Sequence, residues 1–115
     1  IIFDVAGYCI FSDPQNGPMT LTAVYSDIFS CAEGQASNAA MAGTCIHADP
    51  LFVDADGGNL HLQQTSPCID TGKPVTGCSN EPSPNGCAVN MGAYGNTAEA
   101  ASKPGATNCV PCPAP

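Results

Sequence analysis

Asp54, Asp56 and Asn59 fall in one short stretch together with Gly57 and Gly58. Closely spaced carboxylates, an amide oxygen and glycines for tight turning are what a calcium loop needs, because the hard cation is bound by oxygen. The stretch lacks the bidentate Glu that closes an EF-hand loop, and Asp, Asn and Gly are also the ordinary residues of a turn. A turn is therefore the first reading, with Asp54, Asp56 and Asn59 a weak calcium site and calcium the only cofactor left open. Asp49 caps the turn at Pro50 or assists the same cation. His47 and His61 are too far apart in sequence for a helical metal pair. They stack on one face, or each is simply a polar surface group. Cys109-Val-Pro-Cys112 is followed by Pro113, so it lacks the histidine of a haem-attachment motif. It also lacks the βαβ surroundings of a redox CxxC. A local disulfide, an interchain bridge and thiol exchange remain for it. Hydrolysis of a glycoside requires two carboxyl groups facing one cleft, and Asp4, Asp13 and Asp27 are scattered. No catalytic set emerges, and the expectation is a protein that is not an enzyme.

The elements that must position these residues are short. A chain of 115 residues with 12 Gly, 11 Pro, no Trp and few aromatics suits strands joined by many turns. The 8 cysteines, Cys9, Cys31, Cys45, Cys68, Cys78, Cys87, Cys109 and Cys112, read as a disulfide framework made in an oxidising compartment, hence an extracellular or cell-surface location. A thiolate metal site needs paired close spacings, and only the Cys109–Cys112 pair has one. Ten Asp and Glu face two Lys and no Arg, a net charge of −8. Phosphate contacts need Lys and Arg, so nucleic acid is excluded as a partner, and anionic membrane surfaces fall with it. No segment reaches transmembrane length, so no membrane insertion is expected. Ile1–Val5 is too short for a signal peptide, which leaves a processed chain or a fragment.

Residues 1–11 are apolar and β-branched and predict one or two short strands. Asp13–Pro18 is a turn cluster. Met19–Ser30 predicts two short strands with a bend at Ser26-Asp27. The small, polar run from Cys31 to Cys45 reads as a loop, with at most a helical turn at Ala39–Ala42 and a Cys31–Cys45 bridge closing it. Leu51–Val53 and Leu60–Leu62 predict strands flanking the 54–59 turn, with Leu60 and Leu62 pointing inward and His61 outward. Residues 72–87 form a second loop, with Cys78 pairing to Cys87. Val89–Tyr94 predicts a last strand, Ala98–Ala101 one helical turn, and 103–115 an extended, Pro- and Cys-rich arm.

Two stretches go further. Asp49-Pro-Leu-Phe-Val-Asp, continuing through Gly57-Gly58, Leu60-His-Leu and Ser66-Pro-Cys-Ile-Asp-Thr-Gly72, is followed later by Asn90-Met-Gly-Ala-Tyr-Gly-Asn-Thr97. In that order they resemble the C-terminal region of secreted bacterial right-handed parallel β-helix proteins of the pectate-lyase-like, choice-of-anchor type. The resemblance spans roughly residues 20–100. It implies an all-β fold, a short right-handed parallel β-helix (solenoid) stub with long loops, stapled by disulfides. Residues 1–102 would be the β-helix domain and 103–115 the arm. It places Asp70 and Asn90 at coil corners, satisfying backbone groups. Lyases of that fold use Arg or Lys as base, and here only Lys73 and Lys103 exist, in loop and tail. Solenoid coils bury apolar side chains only against neighbouring coils. The apolar opening strand, Ile1, Ile2, Phe3 and Val5, therefore wants a cover. Self-association into a homo-oligomer or filament supplies one. The alternative is a C-terminal cap on a larger carbohydrate-binding or carbohydrate-processing β-helix protein, with carbohydrate as partner.

Overall fold

The computed structural model describes residues 1–13, 15, 22–37, 39–75 and 79–109. The chain forms two compact units, Ile1–Asp49 and Pro50–Pro115. All regular structure in the described residues is β, apart from a 3₁₀ position at Gln15. The described residues hold eight short strands: β1 (Ile2–Val5), β2 (Tyr8–Phe11), β3 (Thr22–Ala23), β4 (Ile28–Cys31), β5 (Gly34–Ser37), β6 (Ala40–Met41), β7 (Phe52–Asp54) and β8 (Asn59–Leu62). They form small two-stranded sheets rather than one continuous sheet.

In the first unit every pairing is parallel. Ile2 lies opposite Ile28, Phe3 opposite Phe29 and Val5 opposite Cys31. Tyr8 lies opposite Gly34, Ile10 opposite Ala36 and Phe11 opposite Ser37. The sequence offset is the same throughout both pairs. Thr22–Ala40 and Ala23–Met41 continue the pattern with a shorter offset. The predicted strands at 1–11 and the bend at Ser26-Asp27 are thus found, while residues 16–21 lie outside the described residues. Asp27 is the pivot. The Ile2 amide donates to its carbonyl at 2.9 Å, the Ile28 amide to Ile46 at 3.0 Å, and the Ile46 amide to Ser26 at 2.9 Å. Ile28, at the centre of this line, is fully buried.

Asp4 (φ 52°) and Ser30 (φ 58°) both adopt the left-handed conformation. They sit at matching positions of β1 and β4, between pairs fixed on either side. Such backbone is uncommon outside glycine, and its recurrence in register means that both strands bend together. Past the bend, Ala32 donates to Val5 at 2.9 Å, and the Cys9–Cys31 disulfide ties β2 to the end of β4.

Two expectations are corrected here. The 31–45 stretch is not an excluded loop, because its small residues form β5 and β6 against β2 and β3. Backbone pairing needs no large side chain, and the neighbouring strands supply the apolar cover. Consequently Cys31 bonds to Cys9 rather than Cys45, whose buried thiol lies 3.3 Å from the Ala23 carbonyl.

The second unit begins with an antiparallel hairpin, Phe52 opposite Leu62 and Asp54 opposite Asn59. This is the strand–turn–strand expected around residues 54–59. Beyond it the chain is irregular and pinned by specific bonds. Segments 72–75 and 87–89 run side by side: Gly72 donates to Val89, Val89 to Lys73 and Val75 to Cys87, at 2.8–3.1 Å. Pro50, Cys68, Ile69, Met91 and Ala100 are among the buried apolar residues. Val89–Tyr94 is not a strand, and Ala98–Ala101 is a turn without a helix. Glycines 92 and 95 and the bonds Gly95-to-Gly92 and Thr97-to-Tyr94 fold that stretch into successive tight turns. Cys87 bonds to Cys109, not Cys78. Residues 103–109 are thereby fastened to 85–87, with Gly86 donating to Thr107 at 2.7 Å. Cys68 is buried, and Cys45 is a buried free thiol outside the disulfide framework expected for it. Cys78 and Cys112 lie outside the described residues.

Ile28→Ala should destabilise the first unit by about 2–5 kcal/mol, the usual cost of emptying a fully buried isoleucine site. Denaturant unfolding with the Cys9–Cys31 bond intact measures it; a loss below about 0.5 kcal/mol would remove Ile28 from the centre of that core.

Candidate functional site

The expected assembly residues lie along β1. Ile1, Ile2, Phe3 and Val5 are all half-buried. They are therefore neither a closed core nor a fully exposed strip. Among the described residues, β1, β2 and β3 each have one strand neighbour, leaving the opposite edge of all three without a β partner. Exposed side chains lie on or next to these strands: Phe11 of β2 at 60%, Val24 beside β3 at 52%, and Tyr8 and Tyr25 at lower exposure. Tyr8 also lies over Gly34, where a Cβ would press on its ring. The residues 1–49 contain neither Lys nor Arg. Natural edge strands are commonly guarded by lysine, proline or an inward charge. In β1 and β2 the only charged side chain is Asp4, at the left-handed bend.

The candidate calcium residues are engaged by their own turn. Asp54 Oδ1 accepts the Gly57 amide at 3.0 Å, and Gly58 donates to the Ala55 carbonyl at 3.0 Å. Asn59 Oδ1 accepts the His61 amide at 3.1 Å and faces His61 Nδ1 at 2.6 Å. Asp56 is exposed at the turn's tip. No cluster of three or more His, Cys, Asp and Glu suited to a metal occurs among the described residues.

His61 does not point freely outward. Its ring stacks on Tyr94 with centroids 3.8 Å apart and an interplanar angle of 11°, and Nε2 lies 3.3 Å from Glu99 Oε1. Both ring nitrogens thus face acceptor oxygens. His47 Nδ1 lies 3.1 Å from the Ile28 carbonyl. Each imidazole is occupied within its own unit. The carboxylates that a hydrolase would pair are dispersed as well: Asp27 is buried and accepts the Ala48 amide at 3.2 Å, while Asp4 and Asp13 are exposed.

The second unit holds a polar centre that the sequence reading only half anticipated. Asn90 satisfies backbone groups as expected: its Oδ1 accepts the Asp70 amide at 2.9 Å and its Nδ2 donates to the Ala101 carbonyl at 2.7 Å. Asp70, expected to satisfy backbone in the same way, instead has a buried Oδ1 with no hydrogen-bond partner. Burial, and then the charge of Glu81, push its carboxyl above the usual aspartate range, against an opposing pull from Lys103. Glu81 was not anticipated at all. It is buried, and its Oε1 accepts the amides of Asn90 at 2.7 Å and Asn96 at 2.8 Å. The signal available was a lone carboxylate in the otherwise uncharged stretch from Pro74 to Gly92.

Comparison with protein-family models, curated proteins and solved structures finds no match to this chain.

If the 54–59 loop is a turn, Asp54→Ala should cost on the order of 1 kcal/mol through its lost hydrogen bond, and Asp56→Asn should leave melting unchanged. Thermal melts with calcium and with chelator check this. A calcium-dependent rise in melting temperature, abolished in both variants, would establish the metal reading instead.

Proposed function

We propose that this chain is a non-catalytic extracellular structural module that associates with copies of itself through the edges of β1, β2 and β3 that have no β partner among the described residues. The observation that carries the reading is that β1, β2 and β3, each in its own two-stranded sheet, have one edge without a β partner among the described residues and carry no lysine, with Phe11 of β2 and Val24 beside β3 exposed. Constant offset in the β1–β4 and β2–β5 pairs, with matched left-handed bends at Asp4 and Ser30, supports reading these strands as successive rungs of a short right-handed parallel β-helix. A rung offers the same backbone pattern on both of its edges, so a further rung fits where one is missing. The two disulfides among the described residues suit an oxidising compartment, and among the same residues no helix is long and apolar enough to cross a membrane. The resemblance in the 49–72 and 90–97 stretches points the same way. Contacts of this kind are head-to-tail, and where their rotation does not close they build filaments rather than rings.

Phe11→Lys should reduce the assembled state without unfolding the first unit, because the side chain is 60% exposed and the introduced charge guards the edge. Sedimentation and electron microscopy of non-reduced protein over a range of concentrations test it. Concentration-dependent assemblies in the parent chain and smaller species in the variant are expected. A parent chain that stays monomeric throughout would sink self-association and leave the cap of a longer carbohydrate-binding β-helix as the reading to pursue.

A further inference from the structure

Two carboxyl groups in the second unit are left unfinished by their hydrogen-bond network. Glu81 is 4% exposed. It commits Oε1 to the Asn90 and Asn96 amides, while its buried Oε2 has no partner. Asp70 Oδ1 is in the same condition. Both groups attach to one residue, since Asn90 gives its amide N–H to Glu81 and takes the Asp70 amide on its side-chain oxygen. Gly86, at φ +63°, lies so close to the Asp70 carboxyl that a Cβ there would overlap it. The stretch from Glu81 to Asn90 is thereby folded onto the Ile69–Asp70 corner.

A buried carboxylate oxygen without a donor is costly, and a second carboxylate nearby adds repulsion. A proton on Asp70 cancels its charge, which relieves both its own desolvation and its repulsion with Glu81. Calcium is the weaker candidate, since it takes six to eight oxygens and this pair offers two that are open.

We propose that Asp70 and Glu81 form a proton-held latch that keeps the 81–90 segment closed on the Ile69–Asp70 corner in acid and loosens it as Asp70 ionises. Two charged groups act on Asp70: Glu81 from the closing segment, which favours the protonated form, and Lys103 from the following stretch, which opposes it. Burial is the larger influence and acts with Glu81. The folded chain therefore keeps a proton that the unfolded chain has already released. This stabilisation is fully present below the ordinary aspartate value of about 3.9 and is lost as pH rises through the higher, folded value. The latch lies wholly within the second unit and stands or falls apart from the assembly edge.

The test is amide hydrogen exchange at Asn90 and Asn96 in the full, disulfide-intact chain between about pH 3 and 8, with carboxyl NMR titration of Asp70. After correction for intrinsic exchange, protection should fall about tenfold for each unit by which the Asp70 titration is raised. Asp70→Asn should remove that pH dependence. Glu81→Gln should shift the Asp70 titration downward while its amide oxygen still accepts the two N–H groups. Asp70 titrating at or below its ordinary value, or the same pH dependence in the parent and Asp70→Asn, would overturn the latch. If Asp70→Asn does not fold, the NMR titration of the parent chain decides alone.

Discussion

Everything in this molecule depends on where its backbone N–H and C=O groups find partners. The fully buried large side chains are few, Ile28 in the first unit and Ile69 in the second being the apolar ones besides Pro50 and Cys68. So small a buried apolar set leaves little hydrophobic driving force. Unpaired backbone groups in what interior exists are correspondingly hard to tolerate. The two units meet this constraint differently. In the first, strand pairs strand in parallel register, and the Asp27 backbone links β1 to Ile46 across Ile28. In the second, past its hairpin, polar side chains stand in for strands. Ser66 donates to the Pro50 carbonyl at 2.5 Å and accepts the Cys68 amide; Asn85 accepts the amides of Cys87 and Cys109.

The same contrast explains what could be read from sequence. The 1–11 strands and the 51–62 hairpin were legible because alternation, β-branched residues and an Asp-Gly-Gly-Asn turn are local signals. β5 and β6 were not. Gly34-Gln-Ala-Ser37 and Ala40-Met41 have little strand propensity, and they pair because β2 and β3 present a matching edge far away in sequence. Missing those strands also produced the wrong Cys31 partner, since a loop would have returned Cys45 to Cys31. The Val89–Tyr94 stretch failed in the opposite direction. Its apolar residues suggested a strand, yet the Asn90 side chain and Gly92 and Gly95 turn the backbone repeatedly. Asn90 does satisfy backbone groups as read, whereas Glu81 had no motif to mark it. Its significance lies in two amides brought to it by the fold.

Disulfide placement follows from these arrangements. Both bonds join cysteines with a sequence separation of 22, and each fastens a segment with little core of its own. Cys9–Cys31 holds β2 against the end of β4 just beyond the shared left-handed bend. Cys87–Cys109 holds the 103–109 stretch against the loop that carries Glu81. Closing loops of that length removes on the order of 3 kcal/mol of chain entropy from the unfolded state, a large contribution for units with so small an interior. Buried Cys45 acts as a small apolar residue instead.

The two unusual features of the chain then fall in different units for a common reason. A two-stranded parallel sheet satisfies only one edge of each strand, so β1, β2 and β3 each keep an edge without a β partner among the described residues. Backbone satisfied by buried side chains leaves no comparable edge, but a carboxylate has more acceptor capacity than nearby amides can fill, as at Glu81 Oε2. An open edge invites backbone from outside, whereas an unfilled carboxylate invites a proton. The first is a property of strand geometry and is insensitive to the identity of most side chains along β1–β3. The second rests on Asp70, Glu81 and the Asn90 that joins them, so single isosteric substitutions reach it without disturbing the edge.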